Sequence, residues 1–110
     1  MGTHQFFERA ELLESQASAG RLYHEFLRVS SLSCGVYVLP AGSRDPQQPH
    51  AEDEVYYVLE GEGRIIVADE ERPVRPGSLI YVPARVPHRF TDITADLELL
   101  VLFAPAEATG

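Results

Sequence analysis

Two histidines and one glutamate are the residues of this chain whose types and spacing are most typical of metal chemistry. His50 and Glu54 flank a short acidic turn before the strongly β-prone run Val55 to Leu59, and His88 lies far along the chain after another such run. Imidazole and carboxylate are standard ligands of zinc, iron, manganese and nickel. His50 and Glu54 can converge from adjoining strands, whereas His88 must arrive through the tertiary fold. These three side chains are candidates for one metal site.

The elements that position these residues are predicted to be mostly strands. A weakly amphipathic helix is expected from about Glu8 to Ala19, ended by Gly20. After Gly20 about eight short strands are expected at intervals near ten residues, separated by turn residues. With no helix between them, they favour an all-β fold, a small antiparallel barrel or jelly roll, over a βαβ sheet. We expect a helical segment at residues 1–20, a barrel domain at 21–105 and a tail at 106–110.

Two details of the strand prediction bear on the position of Glu54. The run Val55 to Leu59 is predicted to turn back through a tight hairpin at residues 60–63, with Arg64 to Ala68 as its return strand. Near the other end of the chain, a short strand around Phe90 and a separate long strand over Leu97 to Phe103 are predicted.

Residues 42–61 resemble the first sequence motif of the cupin family. The run from Glu54 to Gly61 matches the Glu-x6-Gly half of that motif without a gap, and His50 falls on the second histidine of its His-x-His pair. The family resemblance implies a double-stranded β-helix barrel. It also implies a single divalent metal ion in the barrel interior, to which His50 and Glu54 would be ligands.

Residues 77–92 resemble the second cupin motif, Gly-x5-Pro-x-Gly-x2-His. Gly77, Pro83 and His88 stand at the motif positions, while Arg85 replaces the inner glycine and Asp92 stands where the motif ends in asparagine. Fifteen residues separate the two motifs, a short connection typical of small single-domain cupins. The resemblance adds His88 to the predicted metal ligands.

One position departs from the usual three-histidine, one-glutamate set of the family. Gln48 occupies the place of the first motif histidine, so the implied ligands are Gln48, His50, Glu54 and His88. A glutamine carbonyl is a neutral and weaker ligand than imidazole. Some metal-dependent cupins, phosphomannose isomerases among them, have Gln-x-His here and bind zinc. Gln47 or Glu52 is an alternative ligand if the register of the loop differs.

The walls of a ligand pocket follow from strand alternation. If Glu54 points inward, so does Tyr56, and if His88 points inward, so does Phe90; Tyr37 is expected to join them from a facing strand. Tyr37, Tyr56 and Phe90 are therefore candidate substrate contacts, with ordinary barrel packing as the alternative for each. Arg28, Arg44 and Arg64 are either anchors for an anionic ligand or solvated charges of strands and loops.

Composition limits the classes of partner. The 110 residues carry a formal net charge of -8, which disfavours nucleic acid, and no apolar run approaches a membrane span. A single cysteine, Cys34, allows no intrachain disulfide, and no secretory signal is apparent, so we expect a cytoplasmic protein. The N-terminal segment is apolar enough to pack on the barrel or on a partner subunit, and we expect a homodimer.

Three functions are compatible with these residues. The first is a mononuclear metal-dependent cupin that binds or converts a small organic molecule, as a dioxygenase or isomerase, by Lewis-acid or iron-dependent oxygen chemistry. The second is a non-enzymatic small-ligand-binding or sensor cupin. The third is a structural or storage role through self-association.

Overall fold

A computed structural model describes residues 2–46 and 49–108 of the chain. One helix precedes six strands, with these bounds: α1 Arg9–Ala19, β1 Tyr23–Val29, β2 Leu32–Leu39, β3 Asp53–Val67, β4 Glu70–Val74, β5 Leu79–Val82 and β6 His88–Ala104. Every strand pairing is antiparallel, in the order β1-β2-β6-β3-β4, and β5 pairs with β3 outside that path. The predicted all-β antiparallel fold with a short N-terminal helix is confirmed.

The helix α1 lies where the sequence placed it. Gly20 ends it in the left-handed conformation, with φ of 69°, and its backbone N–H donates to the carbonyl of Ala17. Before the helix, the ring of Phe7 packs edge-on against Phe26 of β1, with 4.8 Å between ring centroids. Part of the N-terminal segment therefore lies on the barrel, while Phe6 is 90% exposed.

The predicted hairpin at residues 60–63 is wrong, because β3 continues through these residues as one strand of 15. Gly61 bends the strand instead of reversing it: its φ is 100°, and a Cβ there would lie 2.1 Å from the carbonyl oxygen of Asp96. The pairing of β3 with β6 shifts register on both sides of this position. The actual reversal follows at Ala68 and Asp69 and leads into β4, which the sequence did not predict as a strand.

The strands predicted separately around Phe90 and over Leu97 to Phe103 are also one, the 17-residue β6. Asp92, with φ of 47°, lies within it and does not interrupt it. The two long strands, β3 and β6, pair along most of their lengths. They replace four of the predicted short strands, which is why the structure has six strands where about eight were expected.

The core fills the space enclosed by the strands. Alternate residues of β3 and β6 point into it, so Glu54, Tyr56 and Val58 are buried while Tyr57 is 39% exposed. The buried apolar cluster is Tyr37, Leu39, Tyr56, Val58, Ile65, Val74, Val82, Phe90, Ile93, Leu97, Leu99, Val101 and Phe103. Among the described residues, three carboxylates and one imidazole outside this apolar cluster are also buried: Asp45, Glu52, Glu54 and His88. Among the described residues no helix is long and apolar enough to cross a membrane.

Candidate metal centre

His88, the first residue of β6, is held in one orientation from both sides of its ring. Its Nδ1 lies 2.8 Å from the carbonyl oxygen of Val86, so Nδ1 carries the proton and donates it to that carbonyl. The opposite nitrogen, Nε2, lies 3.0 Å from Oε1 of Glu54 and 3.1 Å from the hydroxyl of Tyr56. The lone pair of Nε2 is thereby directed into the interior, the arrangement in which imidazole serves as a metal ligand.

Glu54 is a buried carboxylate whose charge is not balanced by hydrogen-bond donors of the described residues. The residue is 1% exposed, and neither of its carboxylate oxygens accepts a hydrogen bond from any residue that the structure describes. His88 Nε2 lies 3.0 Å from Oε1 of Glu54, and in the neutral imidazole with its proton on Nδ1 this nitrogen has no proton to give. A buried carboxylate without donors is costly. A cation between Glu54 and the imidazole of His88 would remove that cost.

His50 approaches the same place from the loop before β3. Its backbone carbonyl accepts a hydrogen bond of 2.6 Å from the N–H of Arg85, which ties it to the loop that precedes His88. Its ring packs edge-on against Phe103, with 4.8 Å between centroids, and its Nδ1 lies 3.1 Å from Oε2 of Glu107. The loop, β6 and the C-terminal segment together fix the imidazole of His50.

These three side chains form a cluster suited to a divalent ion. One ligand atom from each of His50, Glu54 and His88 lies within 4.8 Å of the other two. Ligand atoms bound to a common zinc ion at about 2.0–2.2 Å are at most about 4.4 Å apart, so only a slight contraction is required. Two imidazoles and one carboxylate are a ligand set common to zinc, iron, manganese and nickel sites. The residues present therefore fit the metal that the sequence predicted.

The electrostatics of the centre are dominated by its carboxylates. Burial lowers the pKa of His88, but in the protonated imidazole Nε2–H could donate to Glu54, and this interaction, the carbonyl of Val86 and the negative charges of Glu54 and Asp45 outweigh burial and raise the pKa overall. At the mouth of the site, burial and then the charges of Glu52, Glu54 and Glu25 raise the pKa of Glu107 to about 7. The centre favours positive charge.

The fourth predicted ligand, Gln48, lies outside the described residues, as does its alternative Gln47. Glu52, the other alternative, is buried, but its Oε2 accepts a hydrogen bond of 3.0 Å from the backbone N–H of Ala108. Glu52 is not part of the cluster formed by the two histidines and Glu54. It holds the C-terminal segment against the barrel.

The three predicted substrate contacts occupy different surroundings. Tyr56 places its hydroxyl beside His88, and the ring of Phe90 packs against the ring of Tyr56 at 5.0 Å. Tyr37 lines a cavity of about 250 Å³ that is also lined by two of the candidate metal ligands, His50 and Glu54. The full lining of the described cavity is Leu22, Tyr23, Tyr37, Pro46, His50, Glu54, Val101, Phe103 and Glu107. Tyr56 and Phe90 are core residues that do not line it.

Three residues near the site were not singled out from the sequence. Asp45 accepts hydrogen bonds from the hydroxyl of Tyr37, at 2.6 Å, and from the N–H of Phe90, at 2.9 Å. Glu107 contacts His50, and Tyr23 places its ring inside the cavity. An aspartate in a loop and a glutamate in a predicted tail have no periodic pattern around them. Burial does not alternate along β1 either, so the pattern of that strand gives no signal for Tyr23.

Comparisons with known proteins agree with this architecture. A family model described as Cupin domain matches residues 35–104. An uncharacterized protein of Streptomyces coelicolor, SCO3923, is 45% identical over 102 residues, which are 93% of this chain and 97% of that protein.

Solved structures show the same fold. An RmlC-like cupin from Shewanella frigidimarina is 22% identical, with a TM-score of 0.69 over 78% of this chain and 77% of that one. The DMSP lyase DddQ from Ruegeria pomeroyi is 24% identical, with a TM-score of 0.68 over 80% of this chain and 49% of that one.

Proposed function

Because this chain belongs to the cupin family, we propose that it is a mononuclear metal protein that binds or converts a small organic molecule in its barrel. His50, Glu54 and His88 are the proposed protein ligands of one divalent ion, with Gln48 as the proposed fourth. Tyr37 is the proposed wall of the adjoining ligand pocket, and Tyr56 the hydroxyl nearest the ligands.

The observation that carries this proposal is the carboxylate of Glu54. It is buried, it accepts no hydrogen bond from the described residues, and it faces the lone pair of His88 Nε2 at 3.0 Å. A structural histidine would be expected to donate to such a carboxylate, yet the proton of His88 is given to Val86. A bound cation would account for both groups at once.

The chain's own residues supply orientation, exclusion of water and a proton site. When bound, the ion supplies Lewis acidity, or oxygen chemistry if it is iron. His50 and His88 are fixed by Glu107 and Val86, so the ligands are pre-organised. The aromatic rings that line the cavity would exclude water from its inner end when a ligand is bound. The hydroxyl of Tyr56, 3.1 Å from His88 Nε2, holds a proton beside the ligands.

A non-enzymatic ligand-binding or sensor function is the second candidate. It is favoured by the contact between His50 and Glu107, since Glu107 belongs to the segment that follows β6. Binding at the site would then be transmitted directly to residues 105–108. Turnover separates the two candidates: an oxygenase consumes oxygen with a candidate substrate and an isomerase depletes its substrate, whereas a binder does neither.

The deciding experiment is elemental analysis of protein purified without a chelator and without a nickel column. The wild type should contain about one divalent ion per chain, and the double variant His50→Ala, His88→Ala should be soluble, folded and almost free of metal. His24→Ala is the control, because His24 lies in β1 and is not part of the cluster. Undiminished metal in the double variant would refute the proposed centre.

A further inference from the structure

The cavity beside His50 and Glu54 holds a buried hydroxyl that has no hydrogen-bond partner among the described residues. The hydroxyl of Tyr23 is inaccessible to solvent, and no described residue hydrogen-bonds it. Its ring packs edge-on against Tyr37 and Phe103, with centroids 6.1 and 6.2 Å away, and so lies inside the cavity. Unpartnered buried hydroxyls are rare because they forfeit the hydrogen bonds they make in water. A bound ligand would supply the missing partner.

The paired strand β2 leaves room for the ring of Tyr23 because it has a glycine at the point of contact. Gly35 of β2 lies directly under the ring of Tyr23, and a Cβ at that position would be 2.3 Å from the ring carbon Cζ and 2.4 Å from the hydroxyl oxygen. A side chain at position 35 would require the ring of Tyr23 to shift. Burial, followed by the negative charges of Glu107 and Glu25, raises the pKa of Tyr23, so the hydroxyl stays protonated and able to donate.

The charges around the cavity have one sign. Glu54 and Glu107 line it, and among the described lining residues there is no arginine; the chain contains no lysine. Arg28 lies next to the lining residue Glu107, but its guanidinium already donates to both carboxylate oxygens of Glu25 and to the backbone carbonyl of Glu107. A divalent ion would be balanced by Glu54 and Glu107, which leaves no positive charge for an anionic group of the ligand.

We propose that the pocket takes a small neutral or cationic molecule that binds the metal through oxygen and presents a hydroxyl or amino group to Tyr23 and Glu107. Tyr23 and Glu107 are then the residues that determine specificity, and carboxylates and phosphates are rejected at this end of the pocket. The inference rests on the proposed metal centre. The cavity of about 250 Å³ lies just below the ~300–1,000 Å³ of drug-sized sites, so the molecule is small.

Three hydroxamates with the same metal-binding head and different tails test this proposal. Acetohydroxamate has a methyl tail, glycolohydroxamate a hydroxyl and malonomonohydroxamate a carboxylate. Zinc is loaded first and its stoichiometry measured, and each probe is then titrated calorimetrically. The hydroxyl-tailed probe should bind about threefold to tenfold more tightly than acetohydroxamate, the range of one or two net hydrogen bonds. The carboxylate-tailed probe should bind more weakly than acetohydroxamate.

Variants assign the preference to the two residues. Tyr23→Phe should abolish the advantage of the hydroxyl tail. Glu107→Gln, titrated at a zinc concentration that saturates this more weakly binding variant, should relieve the penalty on the carboxylate tail. Tyr57→Phe is the matched control, because Tyr57 lies on the outer face of β3. Protein that does not load zinc overturns the metal centre itself. Loaded protein that binds the carboxylate-tailed probe as tightly as acetohydroxamate overturns the ligand class alone.

Discussion

Glu54 and His88 contact each other across 3.0 Å although they belong to opposite ends of one strand ladder. In the pairing of β3 with β6, Glu54 lies opposite Phe103, whereas His88 lies opposite Val67. The two side chains can meet only because both long strands curl until the ends of their ladder come together. The contact between Glu54 and His88 is therefore a direct measure of barrel closure.

Replacing Glu54 should change the pKa of its partner. In Glu54→Gln the negative charge that raises the pKa of His88 is lost and the hydrogen bond to the protonated imidazole is weakened, while the burial that lowers the pKa remains. We expect the pKa of His88 in the metal-free protein to fall, as measured by NMR titration of its imidazole, and the protein to lose its metal. Glu14→Gln in α1 should change neither.

The same pair sets a pH dependence of stability. Because the pKa of His88 is raised in the folded state, its contribution to the free energy of unfolding is complete below the unfolded pKa of about 6.5. It is lost as the pH rises through the folded pKa. Urea unfolding of the metal-free wild type should show this decline, and Glu54→Gln should reduce it. Equal pH profiles for the two proteins would contradict the assigned pair.

Glu107 should act on metal affinity through His50. Its carboxylate lies 3.1 Å from His50 Nδ1 and orients the ring, so Glu107→Gln should weaken zinc binding by about tenfold to a hundredfold, the usual effect of removing such a partner. Competition with a chromogenic chelator measures this. Glu14→Gln should bind zinc as the wild type does, and Glu107→Asp should recover part of the loss. Unchanged affinity in Glu107→Gln would show that the contact does not orient the ligand.

Gln48→His tests the one departure from the family pattern. An imidazole is a better donor than an amide oxygen, so the affinity for zinc, nickel or iron(II) should rise by about tenfold or more. The wild type and the variant are titrated against the same competing chelator. Equal affinities would place Gln48 outside the ligand set, with Gln47, Glu52 or water in its place.

The candidate ligands could be predicted from the sequence because they belong to two motifs with fixed spacing. The structure brings His50, Glu54 and His88 together, and strand alternation also placed Tyr56 and Phe90 inside. Alternation depends only on local geometry, so it survives errors in the lengths of the strands.

What the sequence could not indicate depends on contacts between distant segments. Asp45 and Glu107 reach the site from a loop and from the segment after β6, where no periodicity constrains a side chain. The glycines at positions 61 and 63 predict a turn, since a bend within a strand and a hairpin both favour glycine. Only the proximity of Asp96 distinguishes them.

Gly61 should therefore be much less replaceable than a glycine in a real turn. In Gly61→Ala the new Cβ meets the backbone of Asp96 at 2.1 Å, so both strands must shift, and we expect a loss of more than about 2 kcal/mol in the free energy of unfolding. Gly77→Ala is a matched control, with φ of 96° against 100° at Gly61, and nothing within 4 Å of its Cβ. It should cost only about 1–2 kcal/mol of backbone strain. Equal losses in urea unfolding would contradict the close approach.

The outer face of the barrel is the surface on which we expect a homodimer to form. Tyr57, Leu79 and Tyr81 are 39%, 69% and 59% exposed, and Tyr57 lies opposite Leu79 in the ladder. Light scattering at micromolar concentration should give the mass of a dimer. The double variant Leu79→Glu, Tyr81→Glu should be a monomer, whereas Val29→Glu on β1 should not change the mass. A monomeric wild type would refute the dimer.

The residues of β4 affect how this protein behaves when it is crowded. A free sheet edge offers unpaired backbone groups to which strands of other molecules can add without limit, as in fibrils. In β4, Pro73 has no N–H to offer, and Glu70, Glu71 and Arg72 are exposed charges on the same short strand. Concentrated solutions should therefore resist fibril growth at this edge. Molecules would instead associate through surfaces that form a closed dimer and leave no site for a third copy.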